Sequence, residues 1–269
     1  MHPICFELFG RPIYWYGIMM AAAFLAGVAN WWHLGRREGR DFSFAVDLGF
    51  WAMASGIVGA RLTYVLSDWQ YFRLYPLHIL RVDQGGLVFY GGFVAAVLTI
   101  AWLAARRHEN PLALGDFAIT AVPLGHMFGR IGCFLFGCCS GTPGGGSLAV
   151  TFPRESLPWE LQAQAGLIGR DAPHSLPVHP VQLYEAALNL LVFLLLRRIY
   201  PRRGKPGYVL GVYLICYALL RLAMELFRGD PREKLGPFSV AQTISFGLLL
   251  TGLALWLSTR RHERTVPEG

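Results

Sequence analysis

Seven stretches of about 20 apolar residues recur along the chain, beginning near Tyr14, Phe44, Gly86, Phe117, Gln182, Tyr208 and Phe238. At 1.5 Å per residue, such a helix covers the roughly 30 Å hydrocarbon core of a bilayer. In hydrocarbon every backbone N–H and C=O must be paired, so the sequence predicts an all-α polytopic membrane protein with seven transmembrane helices. Composition agrees: 54% of the 269 residues are hydrophobic and only 15% charged, with a mean hydropathy of +0.40. Soluble domains carry about 25% charged residues.

The distribution of Lys and Arg tests that count. Arg36, Arg37 and Arg40, then Arg106 and Arg107, then Arg197, Arg198, Arg202, Arg203 and Lys205, then Arg260, Arg261 and Arg264 fall in alternate connections and make 13 of the 24 basic residues. The other connections hold eight (Arg11, Arg73, Arg81, Arg154, Arg170, Arg228, Arg232 and Lys234), spread over longer segments. By the positive-inside rule the N-terminus is outside and the C-terminus cytoplasmic. The net charge of +7 then reflects topology and anionic lipid headgroups, and no nucleic-acid partner is expected. The first apolar run is no cleavable signal, because its basic cluster follows it rather than preceding it.

The remaining three basic residues are arginines inside spans: Arg61 within 44–66, Arg130 within 117–136 and Arg221 within 208–227. An Arg at a helix centre costs about 2.5–3.5 kcal/mol on insertion scales, which makes it functional by default. All three spans run outward, and each Arg falls about 21–27 Å from the inner end, in the outer half. Tyr16, Tyr90, His179, Gln182 and Gln242 lie at similar depth. The pattern predicts an anion site opening to the outer leaflet. The longest connection, 137–179, is rich in Gly and Pro and predicts an irregular outer cap between spans four and five, helical near 159–165. No repeat divides the chain, which reads as a single domain over 1–269. The segment 67–84 carries Trp69, Tyr71, Phe72 and Tyr75, suited to the interface.

Several constellations carry chemistry. His126 and Arg130 are four apart, on one helix face, with Gly129, Gly132 and Gly137 allowing close approach. Arg221, Glu225 and Arg228 form a stripe in which Glu225 orients Arg221 by an ion pair; the other two intramembrane arginines are expected to lack carboxylate partners. Gln84-Gly85-Gly86 and Gly91-Gly92 flank the start of span three and allow either an open helix start that binds an anion or simple close packing. His179-Pro180-Val181-Gln182 opens span five, with Glu185 a turn deeper and in need of a partner. Cys133, Cys138 and Cys139 lack a C-x2-C pair, so no metal site is expected; a disulfide from Cys5 to Cys138 or Cys139 stays open.

Trp15-Tyr16-Gly17, Gly59-Ala60-Arg61, the double diglycine, Gly129-Arg130-Ile131-Gly132, His179-Pro180-Val181-Gln182-Leu183-Tyr184-Glu185 and Arg221-x-x-x-Glu225-x-x-Arg228 together resemble the bacterial prolipoprotein diacylglyceryl transferase family, in the family's order over nearly the whole chain. The resemblance implies a multi-pass enzyme of the bacterial inner membrane, with a periplasmic N-terminus and cap. It would move the diacylglyceryl group of phosphatidylglycerol to the lipobox cysteine of a preprolipoprotein and release glycerol phosphate, with no cofactor. It further implies that Arg130 and Arg221 neutralise the phosphate. Tyr16, Arg61, Glu225 and Arg228 would support headgroup or helix geometry, and Gly141 matches a family glycine. Gly91, Gly92, Cys133, His179, Gln182 and Gln242 complete the substrate-binding set. Three departures stand out: Tyr90 replaces the usual His, Cys133 an Asn, and Phe136-Gly137-Cys138 an Asn-Gly-Glu. The thiol's base is then Tyr90 or His126. Two other readings are a paralogue with a different acceptor and a lipid-binding or transport protein without chemistry.

Overall fold

In the computed structural model the described residues are 3–82, 85–229 and 234–260, with no side-chain description for 234–235; Gln84, Arg232, Arg261 and Arg264 lie outside them. The order is β1 (Ile4–Leu8), β2 (Arg11–Tyr14), α1 (Trp15–Gly35), α2 (Phe42–Ser67), α3 (Trp69–Phe72), α4 (Phe89–Arg106), α5 (Pro111–Ile119), α6 (Val122–Phe136), α7 (Leu157–Gln164), α8 (Val181–Ile199), α9 (Tyr208–Glu225), β3 (Lys234–Leu235), β4 (Phe238–Ser239) and α10 (Val240–Arg260). The strands form two antiparallel hairpins, leading into α1 and α10.

Among the described residues six segments are long and apolar enough to cross a bilayer: Trp15–Glu38, Phe42–Ser67, Phe89–Arg106, Pro111–Phe136, Tyr208–Glu225 and Val240–Arg260. The expected seventh, α8, has the length at 19 residues but carries Glu185, Arg197 and Arg198. Length and composition together thus support six spans among the described residues and leave α8 outside that set. Gln182, Glu185 and Asn189 recur at helical spacing along α8, and each is 3% exposed or less. This helix therefore keeps a polar stripe inside the protein.

The chain divides into two compact units, one comprising the described residues up to Gly27 and from Ile119 onward, the other Val28–Ala118. In the first, α6 packs on α8, α8 on α9 and α9 on α10. Val181, Leu220 and Met224 form an apolar cluster with Tyr184 and Leu188 against it. Gly211 and Gly252 let α9 and α10 approach closely: a Cβ on Gly252 would stand 2.9 Å from the Gly211 carbonyl oxygen, the small-residue contact that membrane helices favour.

The segment 137–179 is ordered by its own bonds. Phe152 is fully buried, its amide donates to Ser175 Oγ at 2.9 Å, and Trp159 Nε1 donates to the Ala172 carbonyl at 2.8 Å. The expected helix near 159–165 appears as α7.

In the second unit α2 packs on α4. A Cβ on Gly92 would meet the Gly56 carbonyl oxygen at 2.7 Å, and one on Gly91 would collide with the Thr63 side chain. Arg40 forms a two-pronged ion pair with Glu109, at 2.9 and 2.6 Å, and stacks over Phe44 at 4.3 Å.

Candidate functional site

The first unit gathers charge around Glu185. Its Oε2 lies 2.6 Å from Arg130 Nε and its Oε1 3.3 Å from Arg228 Nη1. Arg130 thus has a carboxylate partner, which corrects the expectation that it lacks one. The partner was the residue that the sequence marked as needing one. The predicted pair within α9 is also present, with Arg221 Nη1 3.0 Å from Glu225 Oε2; neither atom has an aligned hydrogen bond. Glu225 Oε1 accepts from Ser239 Oγ at 2.6 Å.

Among the described residues three guanidiniums thus meet two carboxylates. Side-chain exposure orders them: Arg130 at 24%, Arg221 at 11% and Arg228 at 5%. Arg130 is the cation most open to a ligand. Arg228 anchors Glu185 from the buried side, because a carboxylate this deep persists as an ion only when paired.

The α8 stripe extends the site. Gln182 Nε2 donates to the Cys138 carbonyl at 2.6 Å, while its buried Oε1 has no hydrogen-bond partner among the described residues. Such an atom costs about 1–3 kcal/mol unless something donates to it. Asn189 donates to the Glu185 carbonyl at 2.8 Å and its side chain bonds His126. The His126 ring stacks on Tyr217 with centroids 5.3 Å apart. Tyr16 lies across Gly132, whose Cβ would come within 3.0 Å of the Tyr16 ring.

Backbone contacts fix the ends of α8 and α9. A Cβ on Gly141 would come within 2.7 Å of His179 Cβ, the His179 carbonyl oxygen and the Phe227 carbonyl oxygen. Gly141 N donates to the His179 carbonyl at 3.0 Å, and Thr142 N to that of Phe227 at 2.9 Å. Gly229 packs against the Gly141 carbonyl equally closely. His179 itself sits between Tyr184 and Phe227. Gln242 works as a helix cap: its Oε1 accepts from Ser239 N at 2.9 Å and its own amide donates to Ser239 Oγ at 3.2 Å, a reciprocal capping box.

The helix α6 ends at Gly137, φ +84°, where Gly137 N and Cys138 N both donate to the Cys133 carbonyl. This turn folds Cys138 and Cys139 back, so that the sulfurs of Cys133, Cys138 and Cys139 lie within 4.8 Å of one another. Their sequence spacing, which lacks a C-x2-C pair, does not point to this proximity. All five cysteines are free. Hydrogen bonds from Cys133 and Cys138 hold the Cys139 thiol well below its ordinary range, aided by Arg228 and Arg130. Cys138 is pushed up by its bonds to Cys133 and Cys139.

In the second unit Arg61 is 8% exposed and donates to four carbonyls: Nε to Ile79 at 2.8 Å, Nη1 to Gly85 and Gly86 at 3.0 and 3.1 Å, and Nη2 to His78. It staples 78–86 to α2, at the wall of a cleft of about 250 Å³ that Tyr64, Asp68 and Arg81 also line. Gly91 and Gly92 serve the close packing of α2 and α4. Tyr90 is 53% exposed and meets Phe89 edge-on.

Sequence reasoning missed Asn189, Tyr217, Ser239 and Gly229. Two carried a signal: Asn189 is a polar residue one turn from Glu185 in an apolar run, and Ser239-x-x-Gln242 spells a capping box.

The first unit thus defines a class: a polytopic membrane protein with a buried arginine–carboxylate cluster between its helices. The profile of the prolipoprotein diacylglyceryl transferase family matches residues 3–258, and the chain belongs to that family. A phosphatidylglycerol–prolipoprotein diacylglyceryl transferase of Xanthomonas oryzae pv. oryzae is 33% identical over 279 residues, covering 96% of this chain and 91% of its own. One from Pseudoalteromonas translucida is 32% identical, covering 99% and 97%. One from Clostridium perfringens, with the same name and the number 2, is 29% identical, covering 93% and 92%.

Proposed function

We propose that this protein transfers the diacylglyceryl group of phosphatidylglycerol to the lipobox cysteine of a preprolipoprotein. The observation that carries the reading is the Arg130–Glu185–Arg228 cluster beside the Arg221–Glu225 pair, with Arg130 its most exposed guanidinium. The family supplies the acceptor, and the names of the relatives supply the lipid.

In the reaction, the substrate thiol loses its proton to a base and the thiolate attacks the glycerol carbon that bears the phosphate. The C–S bond forms as the C–O bond breaks, and the electron pair leaves on glycerol phosphate. Arg130 and Arg221 neutralise the charge that builds on the leaving oxygens, a task a planar guanidinium serves by two parallel bonds. Glu185 and Glu225 hold those guanidiniums in place. Gln182 Oε1 accepts from a hydroxyl or amide of the bound substrates, and Tyr16, Cys133, Gly141 and His179 complete the wall. Arg61, Gly91, Gly92 and Gln242 shape the helices that carry the site. His126 or Tyr90 takes the proton.

The chain works as one domain in the bacterial inner membrane. Its α8, about 28 Å long at 1.5 Å per residue, is the seventh span, with its polar stripe turned from lipid. The N-terminus and the segment 137–179 are periplasmic and the C-terminus cytoplasmic. A C-terminal alkaline phosphatase fusion is therefore inactive, and high activity would overturn the topology.

The function is tested by expressing the protein in a strain depleted of its own transferase and weighing a reporter lipoprotein by mass spectrometry. A gain of one diacylglyceryl group on the lipobox cysteine is expected. An unmodified reporter, with the protein present in the membrane, would overturn the reading.

A further inference from the structure

Three thiols within 4.8 Å of one another are more than the transfer chemistry requires. Two independent features build the cluster. The α6 terminus turns back through Gly137, and Cys139 adopts φ +61°, a region that non-glycine residues seldom occupy. From α8, Gln182 grips the Cys138 carbonyl at 2.6 Å, so the strained turn is held from outside its own segment.

The spacing suits a metal. A thiolate–metal bond of about 2.3 Å in a three-coordinate plane sets the sulfurs about 4.0 Å apart. Closing from 4.8 Å requires each sulfur to move only a fraction of an ångström. Three soft sulfur donors select thiophilic d10 cations and discriminate against magnesium and calcium, which take oxygen. Each residue is half-buried, leaving a route in and a fourth position open to water. Arg130 and Arg228 act electrostatically on Cys139 and offset the single negative charge that three thiolates around a divalent ion would carry.

We propose that Cys133, Cys138 and Cys139 form a three-thiolate binding site for a thiophilic d10 cation of the zinc or cadmium type. Binding forms three metal–sulfur bonds, releases to solvent the protons the thiols still carry, and changes no oxidation state. The occupied site is anionic and draws on Arg130 and Arg228, so metal and lipid phosphate compete for the Arg130 guanidinium.

The test uses the full-length protein in detergent, reduced with a phosphine, stripped with a chelator and titrated with cadmium. One equivalent is expected to bind, with a thiolate-to-metal absorption band in the ultraviolet. In the wild type, bound cadmium should shield the three thiols from maleimide while Cys5 and Cys216 stay reactive. Cys138→Ser and Cys139→Ser should each weaken binding at least tenfold with unchanged thermal melting. Absence of the band, undiminished uptake by the Cys138→Ser/Cys139→Ser double variant, or reaction of all three thiols in the cadmium-loaded protein would each overturn the proposal. So would a disulfide joining two of the three in protein isolated without reductant. Lipid transfer is not measured, so the outcome is separate from that of the transferase reading.

Discussion

The Glu185 carboxylate lies 2.6 Å from the Nε of Arg130, so a helix with a polar stripe holds the most exposed arginine of the site by its buried acid. Glu185 meets Arg228 as well, and its loss leaves two guanidiniums without their shared partner. Breaking a buried pair by removing one member costs about 3–5 kcal/mol. Glu185→Gln should lower the melting temperature in detergent and abolish transfer, whereas Glu185→Asp should retain part of both. A Gln variant that melts and turns over like the wild type would remove Glu185 from the site.

The arginines should separate into two kinds. Arg61 spends its donors on four backbone carbonyls, each charge-assisted bond contributing about 1.5–3 kcal/mol, so Arg61→Ala should first be a stability defect. Arg130→Ala and Arg221→Ala should also melt lower, because each leaves a buried carboxylate without its guanidinium, but should lose turnover out of proportion to stability. Lys should restore the charge and part of the melting temperature but little of the rate, because a point charge lacks the two-pronged fork. Glycerol phosphate release and thermal melting, measured on the same preparations, distinguish the two. Near-normal turnover in both Ala variants would defeat the clamp.

The difference between these arginines marks how far the sequence could be read. Burial of charge in an apolar run is visible in the sequence, and so is a partner at helical spacing, as for Arg221 and Glu225. A partner on another helix is not: Glu185 declared a need that only packing could match to Arg130. The acceptors of Arg61 are still less visible, since they are carbonyls of 78–86 and carry no side-chain signature. The thiol cluster depends on one left-handed turn at Gly137 and an unusual φ at Cys139, which residue spacing alone does not encode. Composition alone separates α8 from the six apolar spans, because the charges that lower its hydropathy include the one that builds the site.

Ser239 joins α10 to the site, because its hydroxyl donates to Glu225 and accepts from the Gln242 amide. Removing a Ser cap costs about 1 kcal/mol, and the freed carboxylate loses a further bond. Ser239→Ala should cost somewhat more than the cap alone and reduce transfer, as Arg221 loses its fixed partner. Gln242→Ala should cost the cap with a smaller effect on turnover. Equal effects on rate in the two variants would show that Ser239 acts through the helix and not through Glu225.

Gly141 leaves no room for a side chain, with three atoms of His179 and Phe227 within 2.7 Å of a Cβ. Gly141→Ala must part the strand-like bonds that tie the start of α8 to the end of α9, and with them the spacing of Glu185 and Arg228. A loss of most activity is expected, with a melting temperature lowered by several degrees. Wild-type turnover in this variant would show that those ends can spread without disturbing the site.

The base is the remaining choice, and the structure makes the two candidates unlike. His126 stacks on Tyr217 and bonds Asn189, in the same compact unit as Arg130 and Glu185, whereas Tyr90 is 53% exposed at the start of α4. A substrate thiol of pKa about 8.5 is mostly protonated at pH 7, so a positioned base speeds the reaction most at neutral pH. If His126 serves, His126→Gln should lose most of the rate at pH 7 and regain part of it as pH rises and the substrate thiol ionises unaided. Tyr90→Phe should then be mildly impaired at every pH. The reverse ranking transfers the role to Tyr90. Full activity in both single variants and the double variant would mean that the arginines alone favour the thiolate, by the same guanidiniums that receive the phosphate.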